Sequence, residues 1–306
     1  MANVHVDPSF DDCERRSRLY SGDLVVYTQV PEVAAFAEFA RDLVSETLAP
    51  DEPTTVHSHR TPEELADLLI DFKPKFIHHP ESIQHVRRIS EALGASPDRT
   101  YADVPKLRTA FPVGGLSGGI AYAFQPHRDT WYGAPPQQVN WWFPIWPADT
   151  NNIMEFYPSR FGRATGNNSD EYNYYQANQW RGRIKDFTGG KDTRVHPAPR
   201  DQIRTSEPTV CLLPPVGGVM LFSGDHLHAT IPNTSRLTRY SIDFRTLDIG
   251  DLHNRRGAPT VDVHCVGTAL RDFRRLSDLA ELTEDEVAPY DSADADTPGI
   301  KVFVPR

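Results

Sequence analysis

Between residues 108 and 266 the chain is a series of short apolar runs separated by Gly, Pro, Asn and Asp. The runs are 119–125, 139–146, 153–157, 209–213, 219–222, 239–246 and 261–266. Each has strand length, and none is followed by a helix-period segment that could carry a parallel crossover. A chain built this way is confined to an antiparallel sandwich or barrel.

Ahead of this region the periodicity is helical. Residues 31–48 place Val33, Phe36, Phe39, Ala40 and Leu43 near helical spacing. Thr61-Pro62-Glu63-Glu64 reads as a helix start, with a capping Thr, a Pro in the first turn and acids at the positive end of the dipole; that helix is expected to end near Phe72. A third helix is expected over 80–93, with Ile83, Val86, Ile89 and Leu93 on one face. A last one is expected over 269–282 before a polar tail. The polar stretch 160–208 is rich in Tyr, Asn, Arg and Gly, and is expected to be a lid-like insertion, solvated over most of its length. The whole reads as one domain over 1–306: mainly helical support (1–104), the β core (105–266), and a C-terminal helix and tail (267–306).

Composition narrows the partners. A net charge of -10 argues against a phosphate-backbone partner, so no nucleic acid is expected. No run approaches the roughly 20 apolar residues of a membrane-spanning helix. The first residues lack the basic-then-apolar order of a signal peptide, so a cytoplasmic protein with no membrane partner is expected. The 3 cysteines are too scattered for a disulfide frame. Cys211 and Cys265, in apolar runs, are expected to be buried. Nothing in the sequence reports an oligomeric state.

Chemistry concentrates at His127-Arg128-Asp129 and, far along the chain, His228. Two imidazoles and a carboxylate can hold Fe(II) or another divalent metal on one face and leave the other open. Alternate residues of a strand share a side, so His127 and Asp129 can reach one ion. His226 has the same phase as His228 and competes for the third position. Arg239 and Arg245 lie in phase on a strand-like run, and either guanidinium could clamp a carboxylate. Gln125, in phase with His127, is a candidate contact to a co-substrate or a strand-end hydrogen bond. Asn140 shares a phase with Trp142; an inward amide needs a partner, and a ligand contact is expected. Trp131, Tyr132, Trp141, Trp142 and Trp146 are expected in the core.

In order along the chain, several segments resemble the Fe(II)/2-oxoglutarate-dependent dioxygenases, in particular the phytanoyl-CoA hydroxylase-like branch. They are His127-x-Asp129, then Val139-Asn140-Trp141-Trp142-Phe143-Pro144-Ile145, then Asn151 to Arg160, which resembles the N-G-x-L-x-x-x-P-G-S-H run. Gly217-Gly218-Val219-Met220-Leu221-Phe222 resembles the G-D-x-x-x-F strand, and His228 with Pro232-Asn233 and Arg239-x-Ser241 completes the set. The likeness covers roughly residues 105–250. It implies a mainly β fold with flanking helices, built on a double-stranded β-helix (jelly-roll, cupin-like) core. It also implies Fe(II) on His127, Asp129 and His228, with the Pro232-Asn233 spacing preferring His228 to His226. Arg239 and Ser241 would then hold 2-oxoglutarate, with O2 as the other co-substrate. Halogenases of this superfamily replace the carboxylate by Gly or Ala. Asp129 therefore implies hydroxylation, or a related demethylation or desaturation, with 2-oxoglutarate decarboxylated to succinate. The expected substrate is a small polar metabolite, in a setting of secondary metabolism. The competing readings are a cupin-type metal enzyme without a keto acid and a non-catalytic jelly-roll binding module.

Overall fold

The computed structural model describes residues 2–112, 125–179, 195–201, 203 and 207–293. Strands β1 (Val4–Val6) and β2 (Leu24–Tyr27) flank helix α1 (Asp12–Tyr20), whose first turn is capped by the Asp11 side chain accepting from the Glu14 N–H. The sequence reading did not anticipate these strands. All four residues of β2 are buried, so it shows no alternation of apolar and polar positions.

Three helices follow. α2 (Pro31–Leu48) starts on its proline and buries Val33, Phe36, Ala37, Ala40, Val44 and Leu48. α3 (Pro62–Ile77) begins with the expected Thr61/Glu64 capping box, but passes Phe72 and runs through Pro74. Packing outweighs the hydrogen bond lost at that proline: Phe76 is fully buried and stacks on Phe36 at 5.8 Å. α4 (Pro80–Ala92) buries Ile83, Val86 and Ile89 on one face.

The β core consists of β3 (Thr100–Ala102), β4 (Lys106–Ala110), β5 (Val139–Pro144), β6 (Met154–Phe156), β7 (Val210–Cys211), β8 (Val219–Ser223), β9 (His228–Thr230), β10 (Arg239–Asp248) and β11 (Arg274–Arg275). Among the described residues the larger sheet has the order β1-β2-β8-β5-β10-β3-β11, and β4 also pairs with β10. It is mixed: β1 and β2 are parallel, and the other pairs are antiparallel. The smaller sheet, β7-β6-β9, is antiparallel.

The period-2 pleat of β10 divides its labour. Tyr240, Ile242 and Phe244 join Trp141, Phe143 and the apolar faces of α2, α3 and α4 in the main core. Arg239, Ser241, Asp243 and Arg245 point to the opposite face. On that side Trp142, Met220 and Phe222 of the larger sheet pack with Met154 and Phe156 of the smaller one, which joins the two sheets.

Several expectations are corrected. Residues 261–266 form no strand; the segment contributes only the bridge Val266–Asn173. Asp262 instead accepts from Arg128 Nε, Trp131 Nε1 and the Thr165 N–H, so side-chain bonds hold this segment where a ladder was expected. Residues 269–282 are not a helix: a turn at 269–272 leads to β11, which pairs with β3. Leu270 is buried from that turn, and Phe273 and Leu276 from the chain flanking β11. Within 160–208, Tyr172, Tyr174 and Tyr175 are buried, the last two at the start of α5 (Tyr174–Gln179). Tyr174 and Tyr175 bond to Asp272 and Asp291, so this part of the insertion is packed. Arg181 and Arg183 lie outside the described residues, as does 119–125 apart from Gln125. Cys265 is buried as expected; Cys211 is exposed, on the terminal strand of the small sheet. Among the described residues no helix is long and apolar enough to cross a membrane.

Candidate metal centre

His127 and His228 face each other across an antiparallel bridge. The N–H of each donates to the carbonyl of the other, at 2.9 and 3.0 Å, and their rings lie 4.4 Å apart. The chain then leaves extended geometry at Asp129, which opens a short 3-10 turn through Tyr132. Asp129 is therefore placed by a turn at the strand end, with the Thr130 N–H donating to Gly224 O. One ligand atom from each of His127, Asp129 and His228 lies within 4.8 Å of the others.

The hydrogen bonds prepare both rings for a metal. His127 Nδ1 bonds the Gln125 carbonyl at 2.8 Å, and His228 Nδ1 bonds the His226 carbonyl at 3.0 Å. A carbonyl only accepts, so each Nδ1 carries the proton and each Nε2 keeps its lone pair. Burial, and then His228, hold the His127 pKa down to about 4, so the ring stays neutral at ordinary pH. Burial opposes ionisation of Asp129, but Arg245, His228 and His127 outweigh it and the pKa is lowered.

Asp129 is also held from behind. Its Oδ2 accepts from Asn140 Nδ2 at 2.6 Å and from Gln138 Nε2 at 3.1 Å, and the Gln138 amide donates at 2.8 Å to Asn140 Oδ1. Its Oδ1 lies 3.7 Å from His127 Nε2. The expectation that Asn140 contacts a ligand becomes, in the structure, a bond to a candidate metal-binding carboxylate. Gln125 enters through its carbonyl, and its side chain is exposed.

His226 is not in the cluster. It precedes β9 in a turn, its Nε2 bonds Gly22 O at 3.0 Å, and its ring packs on Phe161 and Phe222. Burial lowers its pKa to about 3. Because the chain is not extended there, the phase argument that paired it with His228 does not apply.

The two arginines of β10 differ. Arg245 bonds Asp103 at 3.3 Å and Asp243 at 3.0 Å, and Asp243 is also bound by Arg108. Arg239 is 7% exposed and lies over the Trp142 ring; its Nη1 donates to the Asn152 carbonyl at 2.7 Å. Its Nε is buried with no hydrogen-bond partner among the described residues, and burial lowers its pKa to about 10. Ser241, next in phase, is fully buried, and its Oγ has no partner among the described residues. Buried polar groups are rarely left unpaired, so this pair fits an anionic group reaching it from the interior.

Sequence reasoning missed the supports. Arg128, between the two ligands in sequence, is fully buried. It bonds the carbonyls of Asp225, Arg160 and Arg163 and the Asp262 carboxylate, tying the turn before β9 to residues 160–163 and 262. Its only sequence signal is its place between two ligand-type residues. Tyr132 packs on His127 at 5.4 Å and Tyr172 on Tyr132 at 5.2 Å, so the 160–208 segment comes within one aromatic ring of the cluster.

No family model and no curated protein matches the chain. Solved structures to which it is similar include EvdO2 from Micromonospora carbonacea var. aurantiaca complexed with 2-oxoglutarate. That match has 14% identity over 79% of this chain and 92% of that one, with a TM-score of 0.44. Another is the epimerase SnoN in complex with Fe3+, alpha ketoglutarate and nogalamycin RO, at 16% identity over 89% and 96%, with a TM-score of 0.42. A third is the non-heme alpha ketoglutarate dependent carbocyclase SnoK, at 14% over 82% and 92%, with a TM-score of 0.40. At these values the activity of this chain has to be argued from its own residues.

Proposed function

We propose that this protein is an Fe(II)- and 2-oxoglutarate-dependent oxygenase of the phytanoyl-CoA hydroxylase-like kind, with its two sheets forming a jelly-roll core. One observation carries the reading. A His127–Asp129–His228 cluster has both Nε2 atoms freed for a metal, and His228 packs on Phe222 of the same buried apolar cluster whose Trp142 lies under the buried, under-satisfied Arg239, next in phase to Ser241. His127, Asp129 and His228 would hold Fe(II), whose remaining positions suit a chelating keto acid and O2. Bound there, Fe(II) with 2-oxoglutarate and O2 supplies oxidation of a substrate C–H bond coupled to decarboxylation of the keto acid to succinate.

The protein's own part is to bind and orient. Arg239 Nε and Ser241 Oγ would take the distal carboxylate of 2-oxoglutarate, and the Trp142 face would steady the guanidinium. The carbonyls of Gln125 and His226 hold the two imidazoles in the ligating tautomer. Asp243, Arg245, Arg108, Lys106 and Asp103 form an ion-paired polar surface beyond them, which supports a small polar substrate. Asp129 leaves no vacant carboxylate position for a halide, which favours hydroxylation, demethylation or desaturation. A cupin-type enzyme without a keto acid, or a binding module, would have no use for Arg239 and Ser241.

The test is succinate formation from 2-oxoglutarate with Fe(II) under air, for the wild type and Asp129→Ala. Slow turnover by the wild type, even without the true substrate, and none by the variant is expected. No succinate in any condition, despite Fe(II) binding, rules the chemistry out.

A further inference from the structure

Gln138 and Asn140 are 3% and 4% exposed, and both direct amide hydrogens to one side of the cluster. Asn140 sits in β5 between β10 and β8, opposite Arg245 and Phe222, so two ladders fix its backbone. Its orientation is fixed as well. Gln138 Nε2 donates to Asn140 Oδ1, which leaves Asn140 Nδ2 as the end facing Asp129. Gln138 is set by its own carbonyl, which accepts from the Gly224 N–H at 3.2 Å. A Cβ on Gly224 would lie 3.2 Å from Gln138 Nε2 and 3.5 Å from the Asp129 Cβ, so the glycine leaves room for the amide.

We propose that Gln138 and Asn140 are positioning residues that restrict Asp129 to one metal-binding oxygen. Two donors occupy Oδ2, and Oδ1 is the atom turned toward His127. A carboxylate free to turn could chelate through both oxygens and take a second coordination position. Held this way it takes one, and the position it forgoes stays open for a co-substrate. The inference rests on the metal-site reading of His127, Asp129 and His228 but makes its own prediction, because it concerns how the carboxylate binds.

Co(II) can be titrated calorimetrically into the metal-free protein and its visible absorption recorded for the wild type, Asn140→Leu, Gln138→Met and Asp129→Ala. Loss of either amide should weaken Co(II) binding about 10- to 100-fold, the usual effect of removing an outer-shell partner. It should also change the Co(II) spectrum, while the melting temperature of the metal-free protein moves by only a few degrees. A merely structural role would lower the melting temperature and leave the affinity and spectrum of the folded protein alone. Wild-type affinity and spectrum in both amide variants, with binding lost in Asp129→Ala, overturns the positioning role and leaves the metal site standing. Equal binding by the wild type and Asp129→Ala overturns the metal site itself. If Asn140→Leu does not fold, Gly224→Ala carries the same test by crowding the Gln138 amide, and an unchanged Co(II) spectrum there counts against the proposal.

Discussion

Two arginines on one face of β10 illustrate how far local partners decide what a residue can do. Arg245 is neutralised by Asp103 and Asp243, whereas Arg239 meets a carbonyl and keeps a buried donor in reserve. Arg239→Ala should therefore weaken 2-oxoglutarate binding to the Co(II)-loaded protein by roughly 10- to 150-fold, the worth of hydrogen bonds to a charged group, with little change in Co(II) affinity. Arg245→Ala should instead destabilise the fold by about 1–3 kcal/mol, since Asp103 and Asp243 each lose one cation while Lys106 and Arg108 remain. Calorimetry and urea unfolding separate the two effects, and an unchanged 2-oxoglutarate affinity in Arg239→Ala would rule out that arginine as the clamp. Asp225 offers a pH test. Burial, and then Asp262, push its pKa up to about 6 against the pull of Arg128. The folded state thus favours the neutral acid, and the stability this group contributes is present at low pH and lost as pH rises through about 6. Relative to Asp225→Asn, the wild type should lose about 1–3 kcal/mol between pH 5 and pH 7.5 in urea unfolding. A constant difference across that range would show that Asp225 is ionised throughout.

At the level of elements, what could be read in advance was whatever periodicity exposes. α2, α4 and the alternation of β10 were legible because one face is apolar and the other is not. β2 was not, being buried on both faces, and residues 261–266 and 269–282 were misjudged because side-chain bonds from Asp262 and pairing with β3 override their local preference. The metal-type residues of the site were legible by chemistry and spacing. Gln138, Gly224 and Arg128 were not, because an amide, a glycine and an arginine acquire their roles only from what the fold brings beside them. The seam between β2 and β8 has its own test. A Cβ at Gly218 would lie 2.7 Å from Tyr27 O and 2.9 Å from Thr28 O, both backbone atoms that cannot rotate away. Gly218→Ala should lower stability by about 1–3 kcal/mol in urea unfolding, and a neutral result would mean the two strands are less closely apposed there.

For the molecule as a whole, the cluster joins chain segments separated by most of the β core, so a bound ion acts as a fastening as well as a reagent. Co(II) at 100 times its dissociation constant should stabilise the folded protein by about 2.7 kcal/mol, seen as a rise in melting temperature that Asp129→Ala abolishes. A rise of equal size in that variant would place the ion elsewhere. β10 has a consequence of another kind. One strand supplies both the apolar floor beneath three helices and, at intervening positions, the polar groups of the site. A substitution on the polar face can therefore change what the interior accepts while Tyr240, Ile242 and Phe244 keep their packing against the helices. A one-residue deletion within β10 would exchange the two faces at once, sending guanidinium groups under α2 and Phe244 into the interior. Such a chain can be retuned one residue at a time, but only while the length of that strand is preserved.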